Sequence, residues 1–308
     1  MYNGILVLDK IYGAPSRGCV TAVSKALGGR KQKVGHAGTL DTSASGTLVL
    51  LAGSATRLSE AVMNLPKSYL ARVTFGWETS TDDATGEPLS EAVPAAYDEA
   101  ALRGALPAFQ GVRLQTPPRV SAVKVDGARA HKLARSGREP DIRPRPVNVV
   151  SIRYLGRDET GAARLLVRCH RGTYVRSLAR DLGRALGAGA HLSGLRRLCV
   201  GCYRAEEALP YNPQAPAGET ELAGRIQSVE SLASQYYSYD ANAFCEKQLS
   251  NGLGVYVSFM RFRNPGVVPV DEGVMVVGKD SLCLGALRVE NGRMIIYPQA
   301  NIPKAVSL

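Results

Sequence analysis

Hydrophobic and polar positions along this chain switch between two periods. Residues 4–8, GILVL, are a short apolar run ending at Asp9-Lys10 and predict a strand. Val20, Val23 and Leu27 follow at helical spacing, and Gly28-Gly29 supplies a stop, so a helix is predicted over 19–27. A glycine-punctuated loop over 35–46 leads into a second apolar run, TLVLLA. Residues 69–75, YLARVTF, alternate and predict a strand with one buried face. A short helix is expected over 98–106, a strand over 164–169 (RLLVRC) and a helix over 173–186. In the last of these, Leu178, Leu182 and Leu186 share one face, with Arg176, Arg180 and Arg184 opposite.

Two stretches break this pattern. Residues 115–146 open with Pro117-Pro118, close with Pro144 and Pro146 and are basic between, so they read as an insertion rather than core. Residues 210–219, PYNPQAPAGE, have linker composition and precede a helix-like stretch to about Ala233. Beyond it VYVSF, VMVVG, CLGAL and MIIYP are short strands separated by Gly, Asn and Asp, which predicts a small β-barrel or sandwich.

A chain of 308 residues with 45% apolar and 21% charged positions can bury a real core, and its length suggests two domains. Disorder, collagen and a disulfide scaffold are excluded. The apolar run Leu48 to Ala52 falls far short of the ~20 residues that span a bilayer. The opening MYNGILVLDK has no basic, apolar and cleavable leader pattern, so a cytoplasmic protein with no membrane association is expected.

Charge sharpens the picture. The net charge is +11; residues 113–145 and 164–204 alone net +6 and +8, so the rest of the chain nets −3. Such a concentration is the footprint of a polyanion-binding surface, with a merely solvated basic face as the competing reading. Cys199 and Cys202 form a C-x-x-C downstream of Cys169, His170 and His191. A second ligand pair at metal-binding spacing is missing, so reduced thiols are expected and no metal.

Two clusters carry candidate chemistry. Gly35-His36-Ala37-Gly38-Thr39-Leu40-Asp41 brings a histidine and a carboxylate onto a glycine-rich turn before a buried strand. There an aspartate can be a nucleophile, a general base or an Asx-turn residue. Residues 169–176, CHRGTYVR, lead from a strand into a helix. Arg176 lies in the first turn, where the macrodipole favours acids, so it is expected to pair with an anion.

Taken together, these segments resemble the TruB family of pseudouridine synthases over about the first 205 residues, in collinear order. GILVLDK with Gly13 and Ser16 is similar to the family's opening strand. VGHAGTLDTSASGTLVLLAGSATRLSE is similar to its catalytic motif, KSYLARVTFGWETSTDDATG to the next segment, and TPPRVSAVKVDGARAHKLARSG to its basic insertion. CHRGTYVRSLARDLGRALGAGAHLSGLRRLCVG is similar to its last catalytic-domain motif. Three positions depart from the pattern: Thr42 and Ile11 stand where proline is usual, and His131 stands for tyrosine. None of the three removes a reacting group.

The resemblance implies an α+β fold: a mixed, mainly antiparallel sheet with flanking helices and an inserted thumb, plus a small β-rich PUA-like C-terminal domain. It implies a catalytic domain over 1–210 with the thumb at 115–146, a linker and helix over 211–235, and an RNA-binding domain over 236–308. The implied activity is isomerisation of uridine 55 in the TΨC loop of tRNA, with no cofactor and no obligatory protein partner. Asp41 is then the essential carboxylate, attacking C1′ or taking the 2′-proton. Tyr69 should stack on the uracil, Tyr174 should contact the flipped nucleotide, and Arg176 should pair with Asp41. Leu195 should pack on the base, and His36 should enter the space the base vacates. Lys124, Arg129, Lys132 and Arg135 should grip RNA phosphates. Two other readings stay open: an RNA-guided synthase subunit of box H/ACA particles, and a tRNA-binding or folding protein without turnover.

Overall fold

The first apolar run forms the strand Gly4–Lys10, which pairs antiparallel with Ala44–Ala52 and parallel with Leu209–Tyr211. The computed structural model describes residues 1–91, 97–121, 123–125, 128–129 and 141–304, and at 124–125 and 128–129 the backbone alone. Two compact units emerge, residues 1–66 with 198–308, and residues 67–197.

In the first unit, Ala44–Ala52 carries Gly4–Lys10 on one edge, and Val34–His36 also pairs with it antiparallel. The helix Ser16–Ala26 follows Pro15, whose extended backbone forms its N-cap. It begins three residues before the spacing predicts, because Ser16-Arg17-Gly18 present no apolar period. The β-rich C-terminal segment forms a six-stranded sheet in the order Val255–Tyr256, Arg293–Pro303, Ser281–Glu290, Val274–Val277, Ser238–Asp240, Arg261–Asn264. Of VYVSF only Val255–Tyr256 is strand; the rest turns.

This C-terminal sheet shares a core with the start of the chain. Ile5, Val49 and Leu58 pack in one buried cluster with Tyr236, Met275 and Ile302. Hydrogen bonds reinforce it: the Tyr236 hydroxyl donates to the Ala61 carbonyl at 2.7 Å and the Asn3 amide to the Pro303 carbonyl at 2.9 Å. Residues 212–218 are irregular, as their composition predicts, but Leu222, Val229 and Leu232 beyond them are buried.

The second unit is a sheet of Lys67–Phe75, Ala163–Cys169, Arg145–Arg157 and Gly111–Gln115 in that order, all antiparallel. In Lys67–Phe75 every second residue is buried, from Lys67 to Phe75, as strict alternation requires. The helix Glu99–Ala105 starts where the Asp98 carboxylate accepts from the Ala100 amide. The helix Val175–Ala185 lays Leu178 and Leu182 on the core. Gly183 is required there, since a Cβ would lie 2.3 Å from the Ala190 amide nitrogen. The strand Ala190–Val200 begins in this unit and runs past its end at Arg197. Among the described residues, no helix is long and apolar enough to cross a membrane.

Candidate active site

The glycine-rich loop is held from three sides within the first unit. His36 closes the strand Val34–His36, and the Ala37 amide donates to the Val49 carbonyl at 2.9 Å. Gly38 takes φ +106°, a left-handed conformation that glycine tolerates, and so lets the chain reverse between His36 and Asp41. Asp41 is half-buried, and its carbonyl accepts from the Ala44 amide at 3.1 Å in the turn that starts the next strand.

Two buried side chains on the opening segment fix this turn. Ser16 Oγ donates to the Leu40 carbonyl at 2.6 Å and accepts from the Leu40 amide at 3.0 Å. Lys10 is fully buried, and its ammonium donates to the carbonyls of Ala44 at 2.6 Å, Ala14 at 2.7 Å and Ile11 at 3.0 Å. A buried ammonium is costly unless its three donors are satisfied, and here three backbone oxygens surround it. The Gly13 amide also donates to the Thr42 carbonyl at 2.8 Å, so the turn is tethered without the proline usual at 42. Sequence reading assigned no role to Lys10 or Ser16. Their signal is a charged and a hydroxyl residue next to an otherwise apolar run.

The second unit carries Tyr69, Tyr174, Arg176 and Leu195. Tyr69 is 8% exposed and belongs to the same apolar cluster against which Leu195 packs. Tyr174 is the half-buried N-cap of the helix Val175–Ala185. Its amide donates to the Gln115 side-chain oxygen at 2.9 Å, and its carbonyl accepts from the Gln115 amide group at 3.0 Å.

The arginine face of this helix is largely internal. Arg176 is 6% exposed; it donates to the carbonyls of Thr81 at 3.2 Å and Val120 at 3.1 Å and lies 3.8 Å from the Asp83 carboxylate. Arg180 was placed by the helical pattern opposite the leucines, yet it is buried as well. It bonds Asp82 at 2.6 Å, Asp181 at 2.9 Å and the Thr116 carbonyl at 3.0 Å. An acidic loop lies against the polar side of the helix, so both faces are covered. Only Arg184 sits at the surface, paired with Glu78 at 2.7 Å. With Arg197 also buried, part of the basic excess of residues 164–204 is internal and unavailable to a polyanion.

Asp83 lies in the family-like segment KSYLARVTFGWETSTDDATG, where the sequence alone gives it no role, although its setting Thr81-Asp82-Asp83-Ala84-Thr85 is distinctive. Burial opposes its ionisation, but the Thr85 and Thr81 hydroxyls, the Thr85 amide and Arg176 hold its carboxyl below the usual range. It is built to stay anionic. Of the expected phosphate contacts, Lys132 and Arg135 lie outside the described residues, as does His131. The backbones at Lys124 and Arg129 pair in a short ribbon. Cys199 is the next-to-last residue of the strand Ala190–Val200, and Cys202 is exposed on the turn that follows. Among the described residues no group of three or more His, Cys, Asp or Glu is arranged to hold a metal.

Comparison with known proteins identifies the family of the chain. Residues 25–175 match the N-terminal domain of the TruB family pseudouridylate synthases, and residues 176–234 match a tRNA pseudouridylate synthase B C-terminal domain. The tRNA pseudouridine synthase B of Paracoccus denitrificans is 39% identical over 252 residues, covering 81% of this chain and 83% of its own. That of Gluconacetobacter diazotrophicus is 35% identical over 299 residues, covering 94% of both chains. The crystal structure of a Cbf5-Nop10-Gar1 complex contains a chain with the same fold, at TM-score 0.69 and 23% identity, covering all of this chain and 84% of that one. The family matches, together with the mixed α+β fold with mainly antiparallel sheets, define a pseudouridine-synthase-like protein. The chain belongs to the TruB family.

Proposed function

We propose that this protein isomerises uridine to pseudouridine at position 55 in the TΨC loop of tRNA, with Asp41 as the essential carboxylate. The observation that carries the reading is the Asp41 turn. Ser16 and Lys10 fix its backbone at Leu40 and Ala44, so a half-buried carboxylate is presented on a loop with little freedom. Preorganisation of this kind is what a single reacting group needs.

In the reaction, the N1–C1′ bond breaks, a C5–C1′ bond forms, the C5 proton leaves and the freed N1 takes up a proton, so product and substrate are isomers. No electrons are gained or lost, and the chemistry calls for neither metal nor redox cofactor. Asp41 takes part as an anion in either route, by attacking C1′ or by taking the 2′-proton. The target must first leave the stack, which costs a few kcal/mol. Stacking on Tyr69 returns about 1–3 kcal/mol, Leu195 packs on the base, Tyr174 contacts the flipped nucleotide, and His36 fills the space it leaves. Arg176 acts as the countercharge of Asp41.

Residues 115–146 serve as a thumb whose Lys124, Arg129, Lys132 and Arg135 hold tRNA phosphates, and residues 236–308 serve as a PUA-like RNA-binding domain. The enzyme works in the cytoplasm without an obligatory protein partner. The test is to incubate purified protein with an unmodified tRNA transcript, without guide RNA, and map pseudouridine along it. Pseudouridine at position 55 alone supports the reading. No product, or product only with an added guide RNA, overturns it.

A further inference from the structure

The polar residues at the start of the helix Val175–Ala185 all reach the same short stretch of chain. Gln115 exchanges two hydrogen bonds with the Tyr174 backbone, Ser177 donates to the Thr116 carbonyl at 2.9 Å, and Arg180 donates to the same carbonyl. Arg176 donates to the Val120 carbonyl. This stretch is the root of the basic insertion: Gln115 ends the strand Gly111–Gln115, and its ladder partner is Arg145, the first residue of the returning strand. Residues 116–144 therefore leave and rejoin the sheet at that pair.

Gln115 is 2% exposed, although a glutamine at a strand end is ordinarily solvated. Its primary amide presents a donor and an acceptor side by side, the same pairing an extended backbone offers. It thus acts as a one-residue strand partner for Tyr174, in the extended conformation (φ −101°, ψ 112°) from which the helix starts. That backbone fixes the direction in which the Tyr174 side chain leaves the chain. The nearest residues in shape do not supply both groups: glutamate lacks the donor, and leucine and methionine lack the paired amide altogether.

We propose that Gln115 is a positioning residue for the reaction, fixing Tyr174 relative to the root of the insertion. The proposal rests on the function given above and adds to it a residue that touches no substrate. Its reach is specific: Gln115 acts through Tyr174, so its loss matters only while the Tyr174 side chain is present.

The test is a double-mutant cycle on single-turnover pseudouridine formation at saturating tRNA, with Gln115→Leu, Tyr174→Leu and the double variant. A misplaced contact of this kind costs roughly tenfold to a hundredfold in rate. Gln115→Leu is expected to lose that factor with tRNA affinity unchanged, and the double variant is expected to be no slower than Tyr174→Leu alone. Gln115→Glu, which keeps the acceptor for the Tyr174 amide, should lose less; it carries the same cycle if the leucine variant does not fold. A wild-type rate in Gln115→Leu, or losses that multiply in the double variant, would overturn the proposal while leaving the activity itself standing. A wild-type protein that makes no pseudouridine would instead overturn the functional reading.

Discussion

Ser16 holds Leu40 at both of its backbone groups, as donor to the carbonyl and acceptor from the amide, one residue before Asp41. Ser16 is 4% exposed, so these bonds are made away from water, where leaving a backbone group unpaired costs about 1–3 kcal/mol. Ser16→Ala is expected to lower the single-turnover rate roughly tenfold through a looser Asp41 turn, with tRNA affinity unchanged. A rate equal to wild type would show that Lys10 and the Gly13–Thr42 bond hold the turn without Ser16.

The helix Val175–Ala185 offers a comparison between arginines four residues apart. Arg180 and Asp82 form a pair with both side chains about 10% exposed, whereas the Arg184 side chain is 60% exposed. Removing one partner of a buried pair typically costs about 3–5 kcal/mol, and an exposed pair contributes at most about 1 kcal/mol. Urea unfolding should therefore find Arg180→Ala strongly destabilised and Arg184→Ala close to wild type. Equal effects would contradict the burial of Arg180.

Lys67 lies directly across the ladder from Cys169. Burial, helped by the nearby Arg197 and Arg171 and opposed by Cys169, brings its ammonium down to about 8. An unfolded lysine titrates near 10.4, so between about pH 8 and 10 the unfolded chain binds more protons. The contribution of this group to stability therefore rises with pH across that window. Unfolding free energies of wild type minus Lys67→Met should increase from pH 8 to 10. A difference independent of pH would contradict the lowered value.

The thumb residues make a different kind of prediction. If Arg129, Lys132 and Arg135 neutralise phosphates, tRNA affinity should fall with salt at a log–log slope of about −0.7 to −0.9 per phosphate. Replacing all three by alanine should flatten the slope and leave single-turnover chemistry at saturating tRNA largely intact. An unchanged slope would mark them as a solvated face.

Much of the fold is legible in the sequence because period and burial coincide. GILVL, YLARVTF and RLLVRC each become a strand, with Lys67–Phe75 alternating along its whole length. The long strand Arg145–Arg157 is hidden because Pro146, Asn148, Ser151 and Arg153 interrupt its apolar positions. Arg180 defeats the helical pattern because amphipathicity is read from one helix at a time, and the acidic loop that covers its polar face comes from a distant segment. For the same reason Asp41 and Tyr69 stand out in a motif, while Gln115 does not. A lone glutamine before two prolines carries no signal until its partner, 59 residues away, is known.

The most direct test of the account is Asp41→Asn. The substitution keeps size and one hydrogen-bond acceptor but removes the negative charge that both routes require. Pseudouridine mapping of a tRNA transcript treated with this variant, beside a tRNA-binding measurement, should show no detectable product and near wild-type affinity. Product at position 55 at a rate near that of the wild type would contradict the assignment of Asp41 and with it the mechanism.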